Sequence, residues 1–271
     1  MKMLNNVDIK NILHEDFNKV VSLKTIYKYS DFDSALNKIL VENTLKFSKP
    51  SEYNDPFDCH ESLINLKSTD KIVHETLMSS ETGVILTRKD RRKIIREISL
   101  GTNTASILTK EREKFKISCF AEKNDSVLMW GHYADKHQGM CIGFEFPPIY
   151  DKKFMICPVK YIEKIIPFDG SSDATRTILY WLTTKSMTWK YEKEIRAILK
   201  TENKSSFELV TINPQTVKEV IFGCRVSESR IEKTIKTIKR SHREYSKISF
   251  KRMIINPDNF SLKEIILKPG T

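Results

Sequence analysis

Ser186-Met-Thr-Trp-Lys-Tyr-Glu-Lys-Glu-Ile-Arg196, running on into Ala197-Ile-Leu199, is the stretch on which the reading of this chain turns. On a strand, alternate side chains share a face. Read as a strand, it sets Glu192, Glu194 and Arg196 in a row, with Tyr191, Lys193 and Ile195 behind. A charged row of this kind is either a solvated sheet edge or the wall of a cleft. In a cleft, a well-held Glu stabilises a cationic, oxocarbenium-like carbon as it loses its leaving group. Aromatic surfaces would stack a planar leaving group, and a small hydroxyl would position a sugar. Tyr27, Tyr29, Phe120, Tyr133 and Ser118 are of the right types.

Working outward, β-branched and aromatic residues predict strands at 24–29, 45–47, 116–121, 140–146 and 155–162, and later at 208–212, 217–222, 247–255 and 262–267. Helical spacing predicts helices at 8–22, 32–40, 127–134, 172–186 and 228–242. Ser30 or Asp31, Asp125 or Ser126, and Ser227 are their capping residues, and Gly139 is the expected residue after the third helix. Residues 61–114 read as a mostly helical, charged insertion. The loop from Ser48 to Cys59 has strong turn chemistry, and Arg196 is expected to pair with its Asn54–Asp58 part rather than to do chemistry. The whole is expected to be one α+β domain over residues 1–271, a mixed β-sheet core with flanking helices.

The 271 residues carry a net charge of +11, which favours an acidic partner such as RNA or DNA. Lys89–Lys93 and Lys233–Arg243 are candidate contacts, though each reads more readily as a solvated face. Five cysteines, an odd number without a CxxC pair, fit buried thiols in a reducing cytosol. With no apolar leader and no run long enough to span a bilayer, a soluble, cytoplasmic protein without membrane contact is expected. His60 with Cys59, and His132 with His137, lack metal-ligand spacing, so no metal is expected. Cys119 paired with His132 is an unsupported nucleophile. Glycine-rich phosphate loops are absent.

Several segments together resemble the bacterial domain of unknown function 2971: Ile26-Tyr-Lys-Tyr29, Leu45 to Asp58, Ser118-Cys-Phe120, Met129 to Gly139 and Trp189 to Arg196. The order of elements is more distantly similar to the ADP-ribosyltransferase fold. Lys38–Phe47 is similar to that fold's first helix and second strand, Ile117–Ala121 with the helix holding Trp130, His132 and Tyr133 to its middle strand and helix, and Glu192-Lys193-Glu194 to its Glu-x-Glu. That resemblance implies that the sheet core is split, and it implies NAD as substrate, with Glu194 catalytic and Glu192 orienting the acceptor. It implies that Tyr133 or Trp130 stacks nicotinamide, with Tyr27, Lys28, Tyr29, Ser118, Phe120 and His132 as further cofactor-binding residues. The expected function is a bacterial toxin or phage-defence effector that ADP-ribosylates a nucleic acid or protein and has a possible antitoxin or regulatory partner. The alternative is a nucleic-acid-binding or nuclease-type effector that does not use NAD.

Overall fold

A computed structural model describes residues 25–65, 112–147, 149–150, 153–169 and 174–267. The strands are β1 (Ile26–Ser30), β2 (Thr44–Ser48), β3 (Ile64–Asn65), β4 (Phe115–Ala121), β5 (Met140–Phe144), β6 (Ile149–Tyr150), β7 (Phe154–Pro158) and β8 (Lys160–Ile162). They continue as β9 (Phe168–Asp169), β10 (Thr184–Ser186), β11 (Glu194–Lys200), β12 (Phe207–Thr211), β13 (Val217–Phe222), β14 (Ser249–Ile255) and β15 (Leu262–Ile266). The helices are α1 (Val127–Tyr133), α2 (Ala174–Thr183) and α3 (Glu228–Ser241), with a π-helix at Ser34–Val41. The fold is α+β and mixed.

Nine strands run in the order β15-β14-β13-β5-β1-β4-β11-β7-β6, with β2 on β4 and β12 on β2. Within this sheet, pairing is antiparallel except between β13 and β14. One joint is weak. β1 matches β5 along its whole length, from Ile26↔Phe144 to Ser30↔Met140, but meets β4 at a single pair, Tyr27↔Ala121. The sheet therefore parts between β1 and β4.

Strand alternation sorts the core into layers. Ile26, Ile142, Val220, Phe222 and Phe250 face α3 and the π-helix. Tyr29, Cys141, Ile221 and Met253 face α1 and its buried Trp130. A third cluster packs Trp181 and Leu182 of α2 against Ile117, Cys157 and Ile198. On β11, Ile195, Ala197 and Leu199 join the α3 layer, which turns Glu194 and Arg196 to the other face.

Several sequence expectations are corrected. The helix predicted at 172–186 stops at Thr183, and Thr184–Ser186 pair with β8 as β10. The helix predicted at 32–40 is wound with i to i+5 bonding, as in Glu42 N to Asn37 O at 3.0 Å; Asp31 Oδ1 accepts from Ser34 N at 2.8 Å. Ser126 Oγ caps α1 by accepting from Met129 N at 3.4 Å. After α1 the left-handed residues are Asp135, Lys136 and His137, with φ of 45°, 53° and 71°. Gly139 serves a close approach instead: a Cβ there would lie 2.2 Å from the Ser30 carbonyl oxygen. Of the insertion at 61–114, residues 61–65 form a 3-10 turn and β3. Most of the rest, with Lys89–Lys93, lies outside the described residues, as does the helix predicted at 8–22.

Candidate active site

Where β1 parts from β4, a cleft of about 220 Å³ opens. Tyr27, Lys28 and Tyr29 line one side, Cys119 and Phe120 the other, and Tyr133 and Met129 of α1 close an end. Its remaining lining includes Asp58, Lys185, Glu192 and Glu194. The cleft thus gathers seven residues singled out from sequence: Tyr27, Lys28, Tyr29, Phe120, Tyr133, Glu192 and Glu194.

The two Glu reach it by a different route from the one expected. Glu192 is not on the strand. It ends a 3-10 turn, Met187–Glu192, that starts where Ser186 Oγ accepts from Thr188 N. Lys193 then takes a left-handed conformation, φ 44° and ψ 51°, before β11 begins at Glu194. The residue between them, not strand alternation, brings both carboxylates onto Lys185. Lys185 Nζ lies 2.6 Å from Glu192 Oε2, 3.1 Å from Glu194 Oε2 and 3.8 Å from Asp58 Oδ2.

Arg196 completes the cluster. Its fork donates to both oxygens of Asp58, at 2.8 and 2.6 Å, and its Nε donates to Glu194 Oε1 at 2.8 Å. Its remaining contacts include the Leu182 carbonyl at 2.7 Å and Glu194 Oε2 at 3.1 Å. All five residues are buried. Three carboxyl groups face two cations, so the cluster has one carboxylate in excess. Charges this buried are tolerated because they are paired and hydrogen-bonded. Burial opposes ionisation of Glu194, but Arg196 and then Lys185 outweigh it and hold the carboxyl down to about 2. For Lys185, burial is outweighed by Glu194, Glu192 and Asp58, so its pKa rises.

The two Glu differ in freedom. Glu194 accepts from Arg196 on one oxygen and from Arg196 and Lys185 on the other, and its backbone N–H donates to the Tyr161 hydroxyl at 2.8 Å. Glu192 accepts one bond on each oxygen, from Tyr133 at 2.6 Å and from Lys185. A carboxylate has about four acceptor sites, so Glu192 retains more capacity for a ligand.

On the β1 side of the cleft stands a lysine. Lys28 Nζ donates to Ser118 Oγ at 2.9 Å and to the Cys119 carbonyl at 3.1 Å, and stands 5.1 Å from the centre of the Phe120 ring. Its hydrogen-bond acceptors are neutral. Burial pushes its pKa down, against smaller opposite pulls from Cys119 and Glu194.

Three expected binding residues are elsewhere. Trp130 is fully buried beneath Tyr29, with Nε1 donating to the Asn124 carbonyl at 2.7 Å, so its ring is core and unavailable for stacking. Ser118 is buried under Lys28, off the cleft wall. His132 points outward to Tyr191. Cys119 does line the cleft, but burial raises its thiol to about 12 and its Sγ faces the Tyr53 hydroxyl rather than a histidine. Lys185 was not singled out from sequence, and Asp58 was reached only as part of the Asn54–Asp58 loop expected to pair with Arg196. Among the described residues no group of three or more His, Cys, Asp and Glu is placed to hold a metal, and no helix is long and apolar enough to cross a membrane.

Of the cluster, the part from Tyr133 to Arg196 falls in one recognisable segment. Residues 129–197 match DUF2971, a protein of unknown function. The DUF2971 segment runs from within α1 to the middle of β11. It therefore supplies Tyr133, Lys185, Glu192, Glu194 and Arg196, while Lys28 and Asp58 come from outside it. No curated protein and no solved structure matches the chain.

Proposed function

We propose that the cleft breaks the nicotinamide–ribose bond of NAD and transfers ADP-ribose to an acceptor. The observation that carries this reading is the polarity of the cleft. One wall holds a buried cluster with a carboxylate in excess, and the other holds Lys28, whose hydrogen bonds go to neutral groups. NAD has the matching polarity, a cationic nicotinamide ring at one end of its ribose and a diphosphate at the other. A cleft of about 220 Å³ is smaller than the ~300–1,000 Å³ of typical ligand pockets, so it suits one end of the dinucleotide.

In this reading the C–N bond breaks with its electron pair going to the ring nitrogen, and neutral nicotinamide leaves. The ribose carbon becomes oxocarbenium-like, and fixed negative charge beside it lowers the barrier without reorganisation. The acceptor's lone pair then bonds to that carbon and its proton leaves. Glu192, with its spare acceptor sites, meets the sugar. Glu194 anchors the cluster through Arg196 and Lys185, the reverse of the roles that the resemblance implies. Tyr27, Tyr29 and Phe120 supply ring surface, and Lys28 meets a phosphate.

The test is nicotinamide release from NAD, with and without added RNA, DNA or protein. Glu192→Gln is expected to lower the rate about 10²- to 10³-fold, as loss of one electrostatic stabiliser does, when assayed at a temperature at which its circular dichroism spectrum matches that of the wild type. No nicotinamide release by the wild-type protein with any acceptor, and no NAD-induced rise in melting temperature, would sink the reading.

A further inference from the structure

The 3-10 turn that ends on Glu192 alternates rings and cations: Trp189, Lys190, Tyr191, then Lys193 just beyond. Lys190 and Lys193 are exposed, and the two rings are half-buried. The rings are held in place. Lys185 Nζ stands 4.9 Å from the centre of the Trp189 ring. Trp189 and Tyr191 lie 6.1 Å apart at 37°, and Tyr191 lies 6.1 Å from the exposed His132 at 72°. The Tyr191 hydroxyl is 3.3 Å from His132 Nδ1. Two elements therefore build a ledge of three rings, flanked by two lysines. Glu192 and Tyr133, the chain neighbours of Tyr191 and His132, line the cleft itself, so the ledge sits at its lip.

Nucleobases stack on such rings at ~1–3 kcal/mol per base with little regard to sequence, while lysines follow the phosphates. A base offers its faces when its strand is single; in a duplex they are covered by its neighbours. An acidic peptide would use the lysines but leave the rings idle. We infer that the ledge docks a single-stranded nucleic acid. Resting on the glycosyl-transfer reading above, the docked strand is the acceptor: a base or sugar heteroatom bonds to the ribose carbon as nicotinamide leaves, and its proton passes to solvent. The net charge of +11 favours the encounter.

Fluorescence anisotropy with a labelled single-stranded RNA, the matching DNA and their duplexes, over a series of salt concentrations, tests the docking site. Tyr191→Ala is expected to weaken single-strand binding about tenfold. Lys190→Glu, on an exposed side chain, is expected to make the log–log salt slope shallower by about 0.7 and to leave acceptor-free nicotinamide release unchanged. Binding undiminished in both variants, or duplex bound as tightly as single strand, overturns the ledge. If wild-type protein releases nicotinamide but labels only protein while the strand stays bound and unmodified, the acceptor assignment is overturned. Absent nicotinamide release with ledge-dependent strand binding intact strikes the glycosyl reading and the acceptor role together, and upholds the docking site.

Discussion

Arg196 directs its donors to Asp58, Glu194 and the Leu182 carbonyl from a fully buried position. Glu194 is the partner of both Arg196 and Lys185, and taking such a partner out of a buried ion cluster strands the donors that it held, at a cost of ~3–5 kcal/mol. Glu194→Gln is therefore expected to lower the unfolding free energy by about that amount at neutral pH, read from urea melts. The same residue sets an acid dependence. Its pKa is about 2 folded, against about 4.3 in an unfolded chain, so its contribution is complete above the unfolded value. It fades as pH falls through the window and is gone below the folded value. Wild-type urea midpoints should drop between those limits, and the Gln variant should show a flatter profile there. Glu192, Glu194 and Arg196 stood out in the sequence because a charged row beside apolar residues is unusual. The pairing of Arg196 with the Asn54–Asp58 loop was also expected, and the fork on Asp58 is what the structure shows. Lys185 was invisible: it follows the apolar stripe of α2 and read as the tail of that helix. Nothing local says that the chain turns at Thr183 and carries the ammonium inward.

At the scale of elements, most strands and the Ser126 cap could be read from residue types, because alternation and capping chemistry are local. The turn before β11 could not. Tyr191 to Ile195 alternates as a strand would, and the left-handed Lys193 carries none of the usual Gly or Asn signal. Ser186, which caps that turn, was the available clue. Two glycines show how differently one residue type is used. At Gly223 an added Cβ would lie 2.1 Å from the His137 carbonyl oxygen, a backbone atom that cannot swing away. At Gly131, inside α1, the nearest atom would be a His137 ring nitrogen at 4.0 Å. Gly223→Ala should destabilise by about 1–3 kcal/mol, the cost of overpacking. Gly131→Ala should stabilise by about 0.5–1 kcal/mol through helix propensity. Thermal melts of the two variants, moving in opposite directions, check the pair.

Across the whole molecule, the α+β class was expected from the order of elements, and the structure shows it as one large mixed sheet with flanking helices. The depth of the polar cluster was not, since burial of charge is a tertiary fact. The basic residues of α3, Lys233, Lys236, Lys239 and Arg240, are exposed on a helix that packs on the sheet face opposite α1. That places their charge away from the ledge at Trp189 and Tyr191. The single β1–β4 pair, Tyr27↔Ala121, has its own consequence. Lys28 belongs to the half-sheet led by β5, and Glu192 and Glu194 to the half led by β11. A ligand that touches both acts as a rivet across a seam. Its binding should slow backbone amide deuteration along β1 and β4 alike, well past the atoms in contact. Saturation with NAD that leaves exchange on β4 unchanged would show that nothing bridges the seam.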